Sequence, residues 1–297
     1  MTIQAAHPKT YSFTPKSHND TYPAIDPATA SDCSGKAVLV TGANRGLGKA
    51  FALSYAKAGA SYIAIGSRSD ASETVKACLE AAKDAGKPSP TVIQVKLDVT
   101  DQACVGEAAE RVHREFGRLD ILVNNSGYMG PLGPLCEQPV EVYRRTWDVI
   151  FWGTYNVTRA FLPLMLEGGD KTVIQLSSIG ACWVKEGSGA YSIAKLAVCR
   201  LAEMLDAEYG EQGVLSYSYH PGGVLTELSS NLPPELQVYL CDTAELAGDT
   251  LVFLTSKKRD WLAGRYISAN WDMPQLMAME EEVSSKDLLK FKCDFGS

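Results

Sequence analysis

A phenol and an ammonium stand one helical turn apart in Tyr191-Ser-Ile-Ala-Lys195, a spacing that sets the two side chains next to each other. A phenol, with a pKa of about 10, is a poor acid or base at neutral pH. A fixed positive charge favours phenolate, so the lysine is expected to draw the tyrosine toward a value at which it exchanges a proton with an alcohol or carbonyl oxygen. On its own the spacing also reads as an exposed helix face.

Two further features bear on that choice. Ser178 ends the apolar run in Ile174-Gln-Leu-Ser-Ser-Ile179, where a buried strand would reach its carboxyl edge. A hydroxyl there can bind a substrate oxygen as its charge changes, or it can simply close the turn. Thr41-Gly-Ala-Asn-Arg-Gly-Leu-Gly48 follows the apolar run Ala37-Val-Leu-Val40 and precedes a helix-like stretch over 49–58. Strand, glycine turn and helix amino terminus in that order form a cradle for a dinucleotide. The glycines admit the pyrophosphate to the backbone, and the helix end supplies N–H groups.

With these residues the chain resembles the short-chain dehydrogenase/reductase family, whose nucleotide fingerprint is Thr-Gly-x-x-x-Gly-x-Gly and whose active site is Ser with Tyr-x-x-x-Lys. Asp98-Val99 is similar to the family's adenine-contacting element, Asn124-Asn-Ser-Gly127 to its Asn-Asn-Ala-Gly, and Pro221-Gly-Gly-Val-Leu-Thr226 to its Pro-Gly-x-x-x-Thr. The resemblance implies Ser178, Tyr191 and Lys195 as catalytic residues. It implies a nicotinamide cofactor held by Gly42, Asn44, Arg45, Gly46, Leu47 and Gly48, then by Asp98, Val99, Asn125, Ser126 and Gly127. Pro221, Gly222, Val224, Thr226, Tyr191 and Lys195 complete the set. A weaker resemblance, carried by the Tyr22-Pro-Ala-Ile-Asp-Pro27 arm and by Trp261 to Trp271, is to reductases of filamentous fungi, many of them in secondary metabolism.

Dinucleotide folds that take NAD place an acid at the end of the second strand, against the ribose hydroxyls. Here Ser67 holds that position and Arg68 follows it, with Arg45 in the nucleotide turn. Two guanidiniums and a hydroxyl suit a 2′-phosphate, so NADP(H) is the expected cofactor. One departure stands out. In Val149-Ile-Phe-Trp-Gly153, Ile150 takes the position of the family's catalytic Asn, which holds a water linking the lysine to solvent. Asn156 is more than a turn away and is no obvious substitute.

The elements needed to position these residues are legible as well. Short apolar runs near 36–41, 61–66, 91–97, 120–124, 172–177, 214–219 and 265–268 alternate with helical patterns. They predict a single-domain α/β Rossmann fold, with a doubly wound parallel seven-stranded sheet and helices on both faces. The expected organisation is an amino-terminal arm over 1–34, extended on the domain or a partner subunit or else disordered, and a Rossmann domain over 35–297. Within it a substrate-loop segment is expected at about 225–242 and a tail at about 272–297. A chain of 297 residues with 45% hydrophobic content suffices for a full core.

A net charge of −7 without a basic run gives no support for nucleic acid or an acidic membrane as partner. No stretch approaches the roughly 18 apolar residues of a membrane span or the core of a signal peptide, so a cytoplasmic chain is expected. Eight dispersed cysteines without zinc spacing read as reduced, mostly buried thiols, with Cys182 a small wall residue near the substrate, and no metal is expected. His220, before Pro221, reads as a strand-end histidine near the cofactor.

The expected reaction is NADP(H)-dependent reduction of a ketone or aldehyde, or the reverse. Because of Ile150, two alternatives stay open: a cofactor-assisted isomerase, epimerase or dehydratase, and a non-catalytic NADP(H)-binding protein. Leu228, Leu232, Pro233, Pro234, Leu236, Val238 and Tyr239, with Tyr128, Met129, Trp183 and Trp152, suggest walls for an apolar or aromatic small molecule. Helices at about 140–166 and 190–210 resemble the family's dimer or tetramer interface, with Phe151, Tyr155, Phe161, Leu201 and Leu205 as its apolar material.

Overall fold

The computed structural model describes residues 12–230 and 232–293. Parallel strands buried on both faces need continuous apolar runs rather than alternation, and β1 (Ala37–Thr41), β4 (Ile121–Asn124) and β5 (Thr172–Leu176) are buried at every position. With β2 (Tyr62–Ser67), β3 (Thr91–Lys96), β6 (Leu215–His220) and β7 (Tyr266–Ser268) they form a seven-stranded sheet in the order β3-β2-β1-β4-β5-β6-β7. Every pairing in it is parallel. The strand order reverses direction between β1 and β4, the point at which open α/β sheets bind ligands beyond their carboxyl edges.

The connecting helices cover both faces. Helices α1 (Gly46–Lys57), α2 (Ser72–Asp84) and α8 (Ala244–Ser256) pack on one side, where Phe51, Cys78 and Leu251 join one buried cluster. Helices α3 (Gln102–Phe116) and α5 (Gly153–Leu166) lie on the other, where Val112, Phe161 and Leu205 join a second. The long helix α6 (Gly189–Tyr209) runs along β5 and β6 on that side and carries Tyr191 and Lys195. Short helices α4 (Val140–Trp147), α7 (Pro234–Gln237), α9 (Met273–Ala278) and α10 (Glu280–Ser285) complete the chain. Among the described residues no helix is long and apolar enough to cross a membrane.

Two expectations need correction. Phe161 and Leu205 face the sheet and are fully or almost fully buried, so they are core and not interface material. The large apolar residues that α5 and α6 leave exposed are Tyr155, Ile193, Leu196 and Met204, with Trp152 just before α5, because helical periodicity turns these to the outer face. The thiols are not mostly buried: Cys33, Cys78 and Cys199 are, whereas Cys136, Cys182 and Cys241 are exposed.

The arm from residue 12 onward lies on the body of the fold; the part of it before residue 12 lies outside the described residues. Ile25 is wholly buried, Ser17 forms an antiparallel bridge with Trp271, and Cys33 N–H donates to Ala58 O at 2.9 Å.

Candidate active site

A cleft of about 1710 Å³ opens along the carboxyl edge of the sheet. Drug-sized ligand pockets run to about 1,000 Å³, so this one has room for a dinucleotide and a second molecule. At its floor the turn after β1 brings Gly42, with φ +64°, beneath α1. Gly48, in the first turn of α1, packs so closely that a Cβ there would overlap Gly42 O and stand 2.7 Å from Asn125 Nδ2. Asn125 lines the cleft, but its side chain is engaged in holding this turn: Nδ2 donates to Thr41 O at 2.7 Å and to Gly42 O at 3.3 Å. Thr41 Oγ1 in return accepts from the N–H groups of Asn125 and Ser126. A backbone cradle with no room for side chains fits a pyrophosphate.

Beyond the turn, Ser67 is buried at the end of β2 and donates to Ser69 O at 2.6 Å, while Arg68 and Asn44 border the same end of the cleft. Partial burial acts to raise the Asp98 carboxyl. Hydrogen bonds from Thr100 and the Arg68 guanidinium outweigh it and hold that carboxyl below the usual range. Val99, Gly127, Pro221, Gly222, Val224 and Thr226 also line the cleft. Arg45 is turned differently from the sequence expectation. Its guanidinium pairs with Glu227 at 2.5 Å, on the segment that follows β6, and both side chains are about two-thirds exposed. Such an exposed pair is worth about 1 kcal/mol or less, so a phosphate can readily displace it.

Ser178, Tyr191 and Lys195 meet in the middle of the cleft. Ser178 leaves β5 in extended conformation, its Oγ accepting from Gly180 N–H at 3.1 Å, and its hydroxyl hydrogen-bonds the Tyr191 phenol. Lys195 is buried; its Nζ donates to Leu176 O at 2.6 Å and lies 5.6 Å from the Tyr191 ring centroid. Burial raises the Tyr191 pKa above its ordinary value, with the Ser178 hydrogen bond acting in the opposite sense. Burial is thus the larger influence on the phenol in this geometry, while the Lys195 ammonium lies over its ring. Burial also lowers Lys195 to about 8, which leaves it charged at neutral pH.

His220 stands at the carboxyl end of β6 and lines the cleft. Burial, with the charge of Lys195, pushes its pKa down to about 3, so it is neutral at working pH. Its Nδ1 is a buried polar atom without a hydrogen-bond partner among the described residues.

Ile150 lies in one turn of π-helix, Asp148–Trp152, closed by Gly153 N–H donating to Asp148 O. Its side chain is 1% exposed and packs with Ala194 and Val198 of α6 and against Trp147, Phe151 and Tyr191. The residue thus buttresses the rear of the tyrosine. Asn156 is directed elsewhere, its Nδ2 donating to Val99 O at 3.2 Å. Ile150→Asn places an amide in this apolar contact, and we expect it to lower stability by roughly 2–4 kcal/mol without raising turnover. Urea denaturation alongside steady-state rates checks this; a faster enzyme of unchanged stability contradicts it.

Of the expected substrate walls, Leu228, Leu232, Leu236, Tyr239, Tyr128, Met129 and Trp183 line the cleft. Pro233, Pro234, Val238, Trp152 and Cys182 are not among its lining residues, and Val238 and Trp152 point to solvent at 70% and 51% exposure. Residues that sequence reasoning did not place here are Arg145, whose guanidinium stacks 4.6 Å from the Tyr128 ring centroid, and Ser17, His18, Asn19 and Asn270. No motif marks these, since they reach the cleft only through tertiary packing.

The family model for short chain dehydrogenases matches residues 36–237, which run from β1 through most of the segment after β6. The chain belongs to the short chain dehydrogenase family. It is 50% identical to the short chain dehydrogenase citE of Monascus ruber over 293 residues, covering 97% of this chain and 99% of that protein. It is 43% identical to the short chain dehydrogenase pigC of the same fungus over 288 residues, covering 96% and 95%. Among solved structures, a short-chain type dehydrogenase/reductase from Mycobacterium ulcerans superposes with a TM-score of 0.72 at 26% identity, over 87% of this chain and 98% of that one. A gluconate 5-dehydrogenase from Burkholderia cenocepacia, in complex with NADP and tartrate, gives 0.71 at 25%, over 83% and 96%. This dehydrogenase therefore belongs to a family of oxidoreductases.

Proposed function

We propose that this dehydrogenase reduces the carbonyl of an apolar or aromatic ketone or aldehyde to an alcohol with NADPH, reversibly. The single observation that carries the reading is the meeting of Ser178, Tyr191 and Lys195 in one cleft with the glycine cradle. A nicotinamide cofactor held along this cleft would supply a hydride for the carbonyl carbon. Tyr191 hands its phenolic proton to the carbonyl oxygen as the C=O π bond opens, and Ser178 hydrogen-bonds that oxygen while charge builds on it. A raised phenol pKa suits this direction, because the tyrosine enters the step protonated. Lys195 brings a buried positive charge 5.6 Å from the ring centroid of the phenolate that remains and would hold the nicotinamide ribose. One carbonyl, one NADPH and one proton become an alcohol and NADP+.

The preference for NADPH rests on the end of β2, where Ser67 replaces an acid and Arg68 flanks it, with Arg45 releasable from Glu227. Ser67→Asp sets a carboxylate against the 2′-phosphate, and like charges at contact cost several kcal/mol. The expected result is an NADPH dissociation constant higher by about a hundredfold with NADH affinity kept or improved, read by fluorescence titration. Equal effects on both cofactors contradict the assignment.

Turnover of a ketone and aldehyde panel, followed as loss of NADPH absorbance, tests the reaction itself. Product without net NADPH oxidation is the outcome of a cofactor-assisted isomerisation or dehydration. The exposed Trp152, Tyr155, Ile193, Leu196 and Met204 support a homo-oligomer formed through α5 and α6.

A further inference from the structure

The amino-terminal arm precedes residue 36, where the match to the family begins, yet Ser12, Ser17, His18 and Asn19 form part of the cleft wall. The arm reaches this place along the carboxyl end of β7. Ser17 bridges Trp271, His18 N–H donates to Asn270 O at 2.8 Å, and Asn270 Nδ2 returns a bond to His18 O at 3.0 Å. His18 Nε2 lies 2.8 Å from Asp272 Oδ2, and its ring stacks on Tyr22 at 3.6 Å. These contacts determine where Asn19 points.

Asn19 Nδ2 donates to Asp242 Oδ1 at 2.5 Å, and Asn19 O accepts from Thr243 N–H at 2.9 Å. The other oxygen of Asp242 accepts from Gly223 N–H at 2.6 Å and from Asn270 Nδ2 at 2.9 Å. Val224 and Asp242 also form a parallel bridge. Gly223 and Asp242 are the two ends of the segment that carries Leu228, Leu232, Leu236 and Tyr239 over the cleft. One carboxylate therefore ties the base of that segment together, and the arm supplies one of its three donors.

We propose that the arm is a substrate-positioning element: through Asn19 and Asp242 it clamps the base of the 225–242 segment and closes one side of the substrate pocket, so it governs substrate binding and not hydride transfer. This rests on the reductase reading above. Among the described residues Asn19 bonds neither β1 nor α1, so the pyrophosphate cradle itself stands apart from the arm, and cofactor affinity should follow the arm less than substrate affinity does.

Asn19→Ala removes one charge-assisted donor, and Asn19→Asp replaces it with a carboxylate facing Asp242. With the best substrate of the panel we expect KM to rise about tenfold for Asn19→Ala and further for Asn19→Asp. The NADPH dissociation constant should rise several-fold less than KM, and chymotrypsin should cleave the 225–242 segment faster. Thr29→Ala, on the same arm but bonded only to Asp26, is the control expected to match wild type. Unchanged KM and unchanged cleavage in both Asn19 variants overturn the proposal. So does an equal weakening of substrate and NADPH binding together with a lowered melting temperature, which marks the arm as mere scaffold. If the wild type turns over no carbonyl compound, the reductase reading fails, while cleavage and NADPH affinity still decide whether the arm clamps the segment.

Discussion

Tyr191→Phe is expected to lower the rate of NADPH-dependent carbonyl reduction about a thousandfold, with NADPH affinity within about twofold of wild type. The substitution removes one oxygen and leaves the ring. That ring packs with Ile150, Ala194 and Val198, and Lys195 Nζ lies 5.6 Å from its centroid, so both contacts survive. The buried Lys195 keeps its bond to Leu176 O, which does not involve the phenol. The one partner lost is the Ser178 hydroxyl, which remains partly exposed in the cleft and can bond solvent. Single-turnover kinetics with fluorescence titration of NADPH separates the chemical step from binding. A variant that reduces the substrate at more than a tenth of the wild-type rate contradicts the role of the phenol as proton donor. A loss of NADPH affinity equal to the loss of rate contradicts it too, because the tyrosine would then be a binding group.

The second large effect concerns the nucleotide turn. Gly48→Val is expected to weaken NADPH binding by about a hundredfold or more. A Cβ at this position would overlap Gly42 O and lie 2.7 Å from Asn125 Nδ2 and 2.8 Å from Ala43 Cα. Two of the three are backbone atoms of the turn, and the third is the side chain that ties the turn to the end of β4. None can retreat without opening the cradle. The control is Gly106→Ala in α3, where an added Cβ meets nothing within 4 Å. There the change removes backbone freedom from the unfolded chain and should raise stability by about 0.5–1 kcal/mol, with NADPH affinity unchanged. Isothermal titration of both variants makes the comparison. Wild-type affinity in Gly48→Val excludes the turn as the pyrophosphate site.

The strands expected near 36–41, 61–66, 120–124 and 214–219 fall within about a residue of those observed, because buried parallel strands are marked by unbroken apolar runs. The seven strands and their helices were legible for the same reason. Apolar side chains were less so. Phe161 and Leu205 look as suited to an interface as Tyr155, and only the register of each helix against the sheet decides which face water. The thiols failed in the same way, since Cys182 and Cys241 sit at loop positions whose exposure no local pattern reports.

The balance of charge in the centre was likewise hidden. Adjacency on a helix made Lys195 the natural partner of the Tyr191 phenol. Packing placed its ammonium on Leu176 O instead, and burial became the larger influence on both groups. Ile150 read as a missing polar group; within a π-turn against Ala194 and Val198 it is a filled apolar contact.

By itself the sequence determined the α/β sheet, the glycine turn and the succession of Ser178, Tyr191 and Lys195, because each depends on near neighbours: apolar runs, backbone freedom, one helical turn. The tertiary structure alone decided that Asn125 braces the turn, that Arg45 pairs with Glu227, and that Asn19 reaches Asp242. These contacts join residues far apart in the chain, and no local spacing encodes a distance that folding has yet to close.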